Sequence, residues 1–336
     1  MLKQAIDKSE FIKIKALLAK NGLTMEPNLT ETLYIEENDE VIATISREQN
    51  ILKCLAVDER YQNENYASRL VTEMINSLAN QHIYNYRVFT PTKNIRLFES
   101  MNFRLLASTA NVAILEGGHP SIEDEIEKMK VQIKYKLGIA NPKNYNIGCM
   151  VVNCNPITLG HLQLIESSAK KHHYFIVFVV EEDYSLFSFP ERFSMVFLAV
   201  AHLGNVIVLP SSKYMVSALT FPTYFLKTKE ERNREYTLLD ALLFKNYFMK
   251  ELNISHRYLG TETDPVMVEY NNALKEVLQD QVTISPRFEK NGKPISATTV
   301  RKLILENKIE EALELVPRSI ASILKPLARQ KYEINQ

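Results

Sequence analysis

The sequence predicts an α/β protein in two parts, an α+β amino-terminal half and a carboxy-terminal half built on a parallel sheet. Three observations carry this expectation. From Glu31 to about Glu116 short strand-like runs crowd together around two helices, whereas after Asn144 single strands alternate with helices. Between them Gly117-Gly118-His119-Pro120 is followed by a charged helical stretch. Regular strand–helix alternation predicts parallel strands with helices on both faces. A length of 336 residues also favours two cores over one.

In the first half the strand segments are 32–36, 41–47, 51–57, 86–90, 104–108 and 111–115, apolar or β-branched runs bounded by polar turns. Apolar residues at helical spacing mark helices over 66–79 and 94–101. The Gly-Gly-His-Pro run is expected to stop any regular element. Ser121-Ile-Glu-Asp then starts a helix reaching about Leu137, ahead of Pro142. The expected organisation is a domain over 1–118, a helical linker over 119–144 and a second domain over 145–336. Within that second domain strands are expected over 145–153, 174–181, 206–210, 257–261 and 282–285. Helices are expected over 162–171, 190–202, 237–252, 265–278 and 302–307.

Forty basic and forty acidic residues cancel, so no long-range field draws the chain to nucleic acid or to an anionic membrane. Cys54, Cys149 and Cys154 are too few for a disulfide framework; small, buried, reduced thiols are expected. The first twenty residues are charged throughout, unlike a signal peptide, and the apolar run 174–180 is far short of a membrane span. A cytoplasmic protein is expected. His172-His173, near a helix end, is expected to be a solvated pair favoured by the helix dipole, not a metal site.

Chemistry concentrates in Ile147-Gly-Cys-Met-Val-Val-Asn-Cys-Asn-Pro-Ile-Thr-Leu-Gly-His161. An apolar strand ends in Asn155-Pro156, turns through Thr158-Leu-Gly160 and delivers His161 where the helical pattern begins. First-turn N–H groups point outward and attract anions, so His161 is placed to face a phosphate. A second segment, Ile295-Ser-Ala-Thr-Thr-Val-Arg301 within the run from Gly292, gathers hydroxyls and a guanidinium at another helix start. Ser296 is its expected N-cap, with Thr298 and Thr299 in the first turn and Arg301 one turn in. In a third, Leu259-Gly-Thr-Glu262, the small Gly260 lets a base or ribose approach beside Thr261 and Glu262. All three fall at strand-to-helix junctions of one sheet, which points to a nucleotide site.

The first two segments resemble the T/HxGH and ISSTxxR motifs of the nucleotidyltransferase superfamily, with Ala297 in place of a serine. The resemblance implies a Rossmann-like fold in which Thr158 and His161 contact the phosphates of ATP, His161 supporting charge at the α-phosphorus. It also implies that Ser296, Thr298 and Arg301 hold the β and γ groups, that Asn155, Gly160, Gly260, Thr261 and Glu262 line the ATP site, and that Arg192 matches a basic residue of the superfamily. In the first half, the run from Cys54 through Gln62-Asn-Glu-Asn-Tyr-Ala67 and the run from Val88 to Phe103 resemble the GNAT acetyltransferase superfamily. Asn65 and Asn102 stand where that family has glycine, and asparagine tolerates the left-handed backbone a glycine would supply. Gln62, Asn65, Ala67 and Asn94 are then the expected lining of a pantetheine or coenzyme A cleft.

A GNAT-like domain followed by a T/HxGH domain resembles the citrate lyase ligase family over nearly the whole chain. That resemblance implies an acid–thiol ligase using ATP with Mg2+ as a substrate complex, acetate, and the citrate lyase acyl carrier subunit, with no tightly bound cofactor and no protein metal site. Acetate would be adenylated, then passed to the carrier thiol with release of AMP. Two alternatives stay open from the residues: an adenylyltransferase acting on a phosphopantetheine-like phosphate, and a non-catalytic nucleotide- or carrier-binding protein.

Overall fold

The computed structural model describes residues 1–62, 64–138, 144–181, 185–215, 229–262, 264–286, 288–290 and 293–335; Pro142 and Gly292 of the sequence expectations lie outside them. The chain opens with β1 (Leu2–Gln4), α1 (Lys8–Lys20), β2 (Glu31–Glu37), β3 (Glu40–Glu48), β4 (Ile51–Val57), α2 (Tyr66–Asn80), β5 (Asn85–Pro91), α3 (Ile95–Glu99), β6 (Arg104–Ser108), β7 (Val112–Gly118) and α4 (Ile122–Leu137). It continues with β8 (Ile147–Val152), α5 (Leu159–Ala169), β9 (Tyr174–Val179), α6 (Phe189–Val200), β10 (Val206–Pro210), α7 (Lys229–Leu243), a π-helical turn (Phe244–Met249) and α8 (Lys250–Leu252). Then come β11 (Ile254–Gly260), α9 (Pro265–Leu278), β12 (Val282–Ser285), β13 (Glu289–Lys290), β14 (Lys293–Pro294), α10 (Ala297–Leu305), α11 (Ile309–Leu313) and α12 (Ala321–Ile334). Two compact units result: Met1–Asp124 with Val216–Leu243, and Glu125–Met215 with Phe244–Gln336.

The first unit holds a seven-stranded sheet in the order β1-β2-β3-β4-β5-β7-β6. One face of α2 buries Leu70, Val71, Met74 and Leu78 against Ile42, Ile45 and Leu115 of the sheet. Each such side chain contributes roughly 1.5–3 kcal/mol by leaving water. β4 and β5 are parallel but share only the pairs Ile51↔Arg87 and Leu52↔Val88, so β4 from Lys53 and β5 from Phe89 run on without pairing to each other. β7 does not stop before the glycines; it continues through Gly117 and Gly118 in register with Tyr86 and Asn85. A Cβ at Gly117 would lie 2.3 Å from the Tyr86 ring, and one at Gly118 1.7 Å from the Tyr84 carbonyl oxygen. These glycines are therefore strand residues that let a neighbour approach, and the break expected of the run falls at His119-Pro120, between β7 and α4.

The helical region expected over 237–252 begins earlier, at Lys229, and divides at the π turn. The unit boundary falls at the same place: α7 belongs with the first sheet, where buried Glu235 accepts a hydrogen bond from Asn111 Nδ2 at 2.7 Å and another from Thr109 Oγ1. A boundary drawn in sequence order does not include this return of the chain.

The second unit holds a five-stranded sheet, β10-β9-β8-β11-β12, with every neighbouring pair parallel. The runs Phe175–Val179 of β9 and Ile147–Met150 of β8 are buried throughout, as strands covered on both faces must be. The chain steps outward from β8 to β9 to β10, then returns to β11 on the other side of β8. That reversal makes the β8/β11 crevice, beyond the strand C-termini, the place where this architecture receives ligands. α10, α11 and α12 pack on the same core through Val300, Ile304, Ile309, Ala312, Leu324 and Ala328.

Candidate nucleotide site

The turn after β8 is fixed by its own side chains. Thr158, 1% exposed, is the N-cap of α5, and its Oγ1 accepts the His161 N–H at 3.4 Å. In return the Thr158 N–H donates to His161 Nδ1 at 3.1 Å, so the imidazole takes the seat that glutamate holds in an ordinary capping box. A backbone amide can only donate. Nδ1 is therefore the acceptor, and the proton of the neutral ring sits on Nε2. Of the remaining first-turn donors, Leu159 N–H is taken by the Leu315 carbonyl at 3.0 Å, while the Gly160 amide has no protein acceptor among the described residues. A Cβ on Gly160 would meet the Ile295 carbonyl at 3.6 Å and Phe288 at 3.7 Å, ordinary contacts. The protein itself leaves room there for a side chain.

The second helix start comes to meet the first. Ser296 caps α10 by accepting the Thr299 N–H at 3.1 Å, and its hydroxyl lies 2.9 Å from that of Thr299. Half-buried Arg301 donates from Nη1 to the Asn155 carbonyl at 2.8 Å and from Nη2 to Thr298 Oγ1 at 3.0 Å. Burial lowers its pKa, so the cation stands where charge is poorly solvated and an anion is correspondingly attractive. The segment after β11 closes the same rim. Gly260 lies beside Leu164 of α5, its carbonyl accepts Asn271 Nδ2 at 3.0 Å, and Thr261 N–H reaches the Ser285 carbonyl of β12 at 2.8 Å. Thr261 is exposed and Glu262 half-buried.

Two expected ATP contacts have inward roles in this structure. The Asn155 side chain accepts the Phe187 N–H at 3.1 Å, and Asn155 is 7% exposed. Arg192 is 0% exposed, with Nε donating to the Phe187 carbonyl at 3.1 Å and Nη1 to the carbonyls of Asn153 at 3.0 Å and Val180 at 2.7 Å. A guanidinium sealed among carbonyls presents no face to a phosphate; it fastens the loop after β8 to the end of β9. The sequence reading passed over Leu315 and Phe288, which complete the surroundings of Gly160 from regions without a motif.

Around α2 the expected cleft residues divide. Gln62 donates to the Val57 carbonyl at 3.4 Å and Asn94 to Thr90 Oγ1 at 3.1 Å. Asn65 is the N-cap of α2 without a side-chain cap bond, and Ala67 lies in the first turn. Asn102 takes the left-handed backbone at φ 65, but Asn65 does not, at φ −63. The Tyr66 hydroxyl is pushed up by its hydrogen bond to Glu64, and the Tyr61 hydroxyl by burial and by Glu37.

The three cysteines are buried free thiols, with burial raising Cys54 to about 11 and Cys149 to about 12 and holding Cys154 higher still. His172 departs from the expectation of a solvated pair. It is half-buried, Nδ1 lies 3.0 Å from Asn146 Oδ1 and Nε2 2.9 Å from the Tyr258 hydroxyl, at the opposite end of the sheet from the rim. Burial lowers its pKa and that of His256.

Comparison with known proteins identifies relatives over the whole chain. A family profile described as "Citrate lyase ligase C-terminal domain" matches residues 147–324, the part of the chain that carries all three segments. A [citrate [pro-3S]-lyase] ligase of Klebsiella pneumoniae is 30% identical over 335 residues, 97% of this chain and 96% of that protein. The enzyme of the same name from Haemophilus influenzae is 31% identical, over 94% of this chain and 95% of its own length. Among solved structures, a GNAT-family acetyltransferase from Staphylococcus aureus is similar with a TM-score of 0.31 at 16% identity, covering 36% of this chain and 100% of that one. An aminoglycoside 6'-N-acetyltransferase complexed with coenzyme A gives 0.32 at 10% identity, covering 36% and 99%.

Proposed function

Because this chain belongs to the citrate lyase ligase family, we propose that its second unit activates acetate with ATP and that the acetyl group then passes to the thiol prosthetic group of the citrate lyase acyl carrier subunit. The observation that carries this reading is the 2.8 Å bond from Arg301 to the Asn155 carbonyl, which joins two helix starts far apart in sequence into one anion-attracting corner.

In the first step an acetate oxygen attacks the α-phosphorus of ATP and the bond to the bridging oxygen of pyrophosphate breaks. Such a transfer needs positioned positive charge and little covalent help. Thr158 holds His161 so that Nε2–H faces the phosphates and supports charge developing at the α-phosphoryl group. Gly160 N–H, Ser296, Thr298 and Arg301 receive the departing β and γ groups, and Gly260, Thr261 and Glu262 border the nucleoside. Mg2+ enters with ATP as part of the substrate. In the second step the carrier thiolate attacks the acetyl carbonyl, the C–S bond forms, the C–O bond to phosphate breaks and AMP leaves. Adenylation is needed because an oxide is a poor leaving group from acetate and AMP a good one.

For the first unit we assign reception of the carrier's pantetheine arm, supported by the run of β4 and β5 beyond their two shared pairs. Among the described residues no helix is long and apolar enough to cross a membrane, and the same reading places the chain in the cytoplasm with ATP and its carrier.

The test is incubation of the full chain with ATP, Mg2+, acetate and hydroxylamine. Acetyl-hydroxamate, AMP and pyrophosphate are expected in equal amounts. A stable dinucleotide formed on a phosphopantetheine acceptor would replace this reading by adenylyl transfer, and ATP binding without turnover would replace it by a sensor.

A further inference from the structure

The segments assigned to ATP leave the acid substrate without a contact, and the strand from which the first of them departs ends in an exposed side chain. From Val152 to Thr158 every residue is buried except Asn153. Cys154 and Ile157 join the core, Asn155 accepts the Phe187 N–H, and Thr158 caps α5. Asn153 stands just past the C-terminal end of β8, where the β8/β11 crevice opens. Its backbone is fixed there, because buried Arg192 donates from Nη1 to its carbonyl at 3.0 Å and to that of Val180 at 2.7 Å. Two residues on, the Asn155 carbonyl takes Arg301, so Asn153 adjoins the corner that attracts anions. The side chain is oriented as well. Ser185 Oγ donates to Asn153 Oδ1 at 3.5 Å, which leaves the two Nδ2 hydrogens, and no described residue accepts them.

We propose that the Asn153 amide binds the carboxylate of the acid substrate, Nδ2–H donating to the oxygen that does not attack, with Ser185 and Arg192 as its positioning residues. The inference rests on the adenylation reading above. Acetate offers a protein little to recognise besides its two oxygens, and one of them must keep its charge to attack the α-phosphorus. That oxygen forms the new O–P bond as the bond to pyrophosphate breaks, and no proton moves. A neutral amide suits this requirement. Its hydrogen bond to an ion is stronger than one between neutral groups, yet it sets no full positive charge against the nucleophile. The guanidinium of Arg301 is then kept for the phosphates, where charge accumulates as pyrophosphate departs. The five residues that follow Asn153 are buried, so at this strand end the exposed amide is the group that can meet the acid.

The experiment measures acetate-dependent hydroxamate formation and, separately, ATP binding by equilibrium dialysis, in the full-length wild type, Asn153→Ala, Asn153→Asp and Ser185→Ala. For Asn153→Ala a rise in the acetate KM of about ten-fold is expected, equivalent to roughly 1.4 kcal/mol, with ATP binding close to wild type and kcat approached again at high acetate. Asn153→Asp keeps the shape and the acceptor for Ser185 but turns the donor into an anion, so like-charge repulsion should raise the acetate KM further, by about a hundred-fold. Ser185→Ala should show a smaller rise in acetate KM with kcat and ATP binding unchanged, a split that a general loss of structure does not produce. An unchanged acetate KM in an Asn153→Ala protein that still binds ATP overturns the assignment of Asn153. A loss of ATP affinity as large as the rise in acetate KM overturns it in favour of a phosphate contact. Wild type that binds ATP but yields no acetate-dependent pyrophosphate overturns instead the adenylation reading on which it rests.

Discussion

Helices α2 and α5 both follow a strand, and a ligand is expected at both starts, a pantetheine arm at α2 and a triphosphate at α5; the structure gives the two starts different surroundings. At α5 the first turn faces the imidazole of His161, the amide of Gly160 and, across from α10, the guanidinium of Arg301. At α2 the groups at the start are carboxylates and phenols: Glu64 on Tyr66, and Glu37 on Tyr61. Arg60 is committed to Asp58 at 2.9 Å and Glu40 at 2.8 Å, while Arg69, the fourth residue of α2, is exposed. A helix start contributes only about half a unit charge and falls off within a turn. The side chains gathered around it decide whether a phosphate or a neutral group is welcome. Under the function proposed above, α5 takes the triphosphate of ATP and α2 the pantetheine arm of the carrier.

The largest effect that would sharpen this contrast is at His161. His161→Ala is expected to lower kcat in the hydroxamate assay by roughly 10²–10³; a variant retaining most activity removes the ring from the chemistry. Next comes Gly160→Ala, where stability and activity should part. Contacts at 3.6 Å admit the methyl group. Replacing glycine in a helix stabilises by roughly 0.5–1 kcal/mol, yet the methyl stands where a phosphate approaches, so Tm should rise while the ATP KM rises several-fold. If both stay level, the phosphate does not lie against this turn. The matching change at the other helix is Asn65→Trp, expected to raise the KM for the carrier and leave acetate activation intact. An ATP-linked defect in that variant would break the division of labour between the two helix starts.

Smallest is a pH effect that must be separated from the chemistry at α5. Burial holds the His172 and His256 rings below the ordinary value of 6.5. As pH falls below 6.5 the unfolded chain takes up these protons first, so the stability present above that value is lost as pH passes through the depressed folded values. Tm followed from pH 7.5 to 5 should fall over that window, and His172→Asn should flatten the curve. A decline of equal steepness in the variant would assign the effect elsewhere.

By itself the sequence determined what depends on neighbouring residues. Periodicity set β4, β6, β10 and β12, and local cap chemistry set Thr158 and Ser296 at their helix starts, because these follow from backbone geometry over a few residues. Both glycine replacements were visible too, yet only Asn102 adopted the left-handed backbone, since the turn around it, and not residue type, demands that conformation. Only the tertiary structure decided which groups meet and which lose water. It turned Arg192 inward among three carbonyls, brought Arg301 to Asn155, and returned α7 to the first sheet through Glu235. Proximity across more than a hundred residues and the desolvation of a charge are products of packing, and no local pattern encodes them.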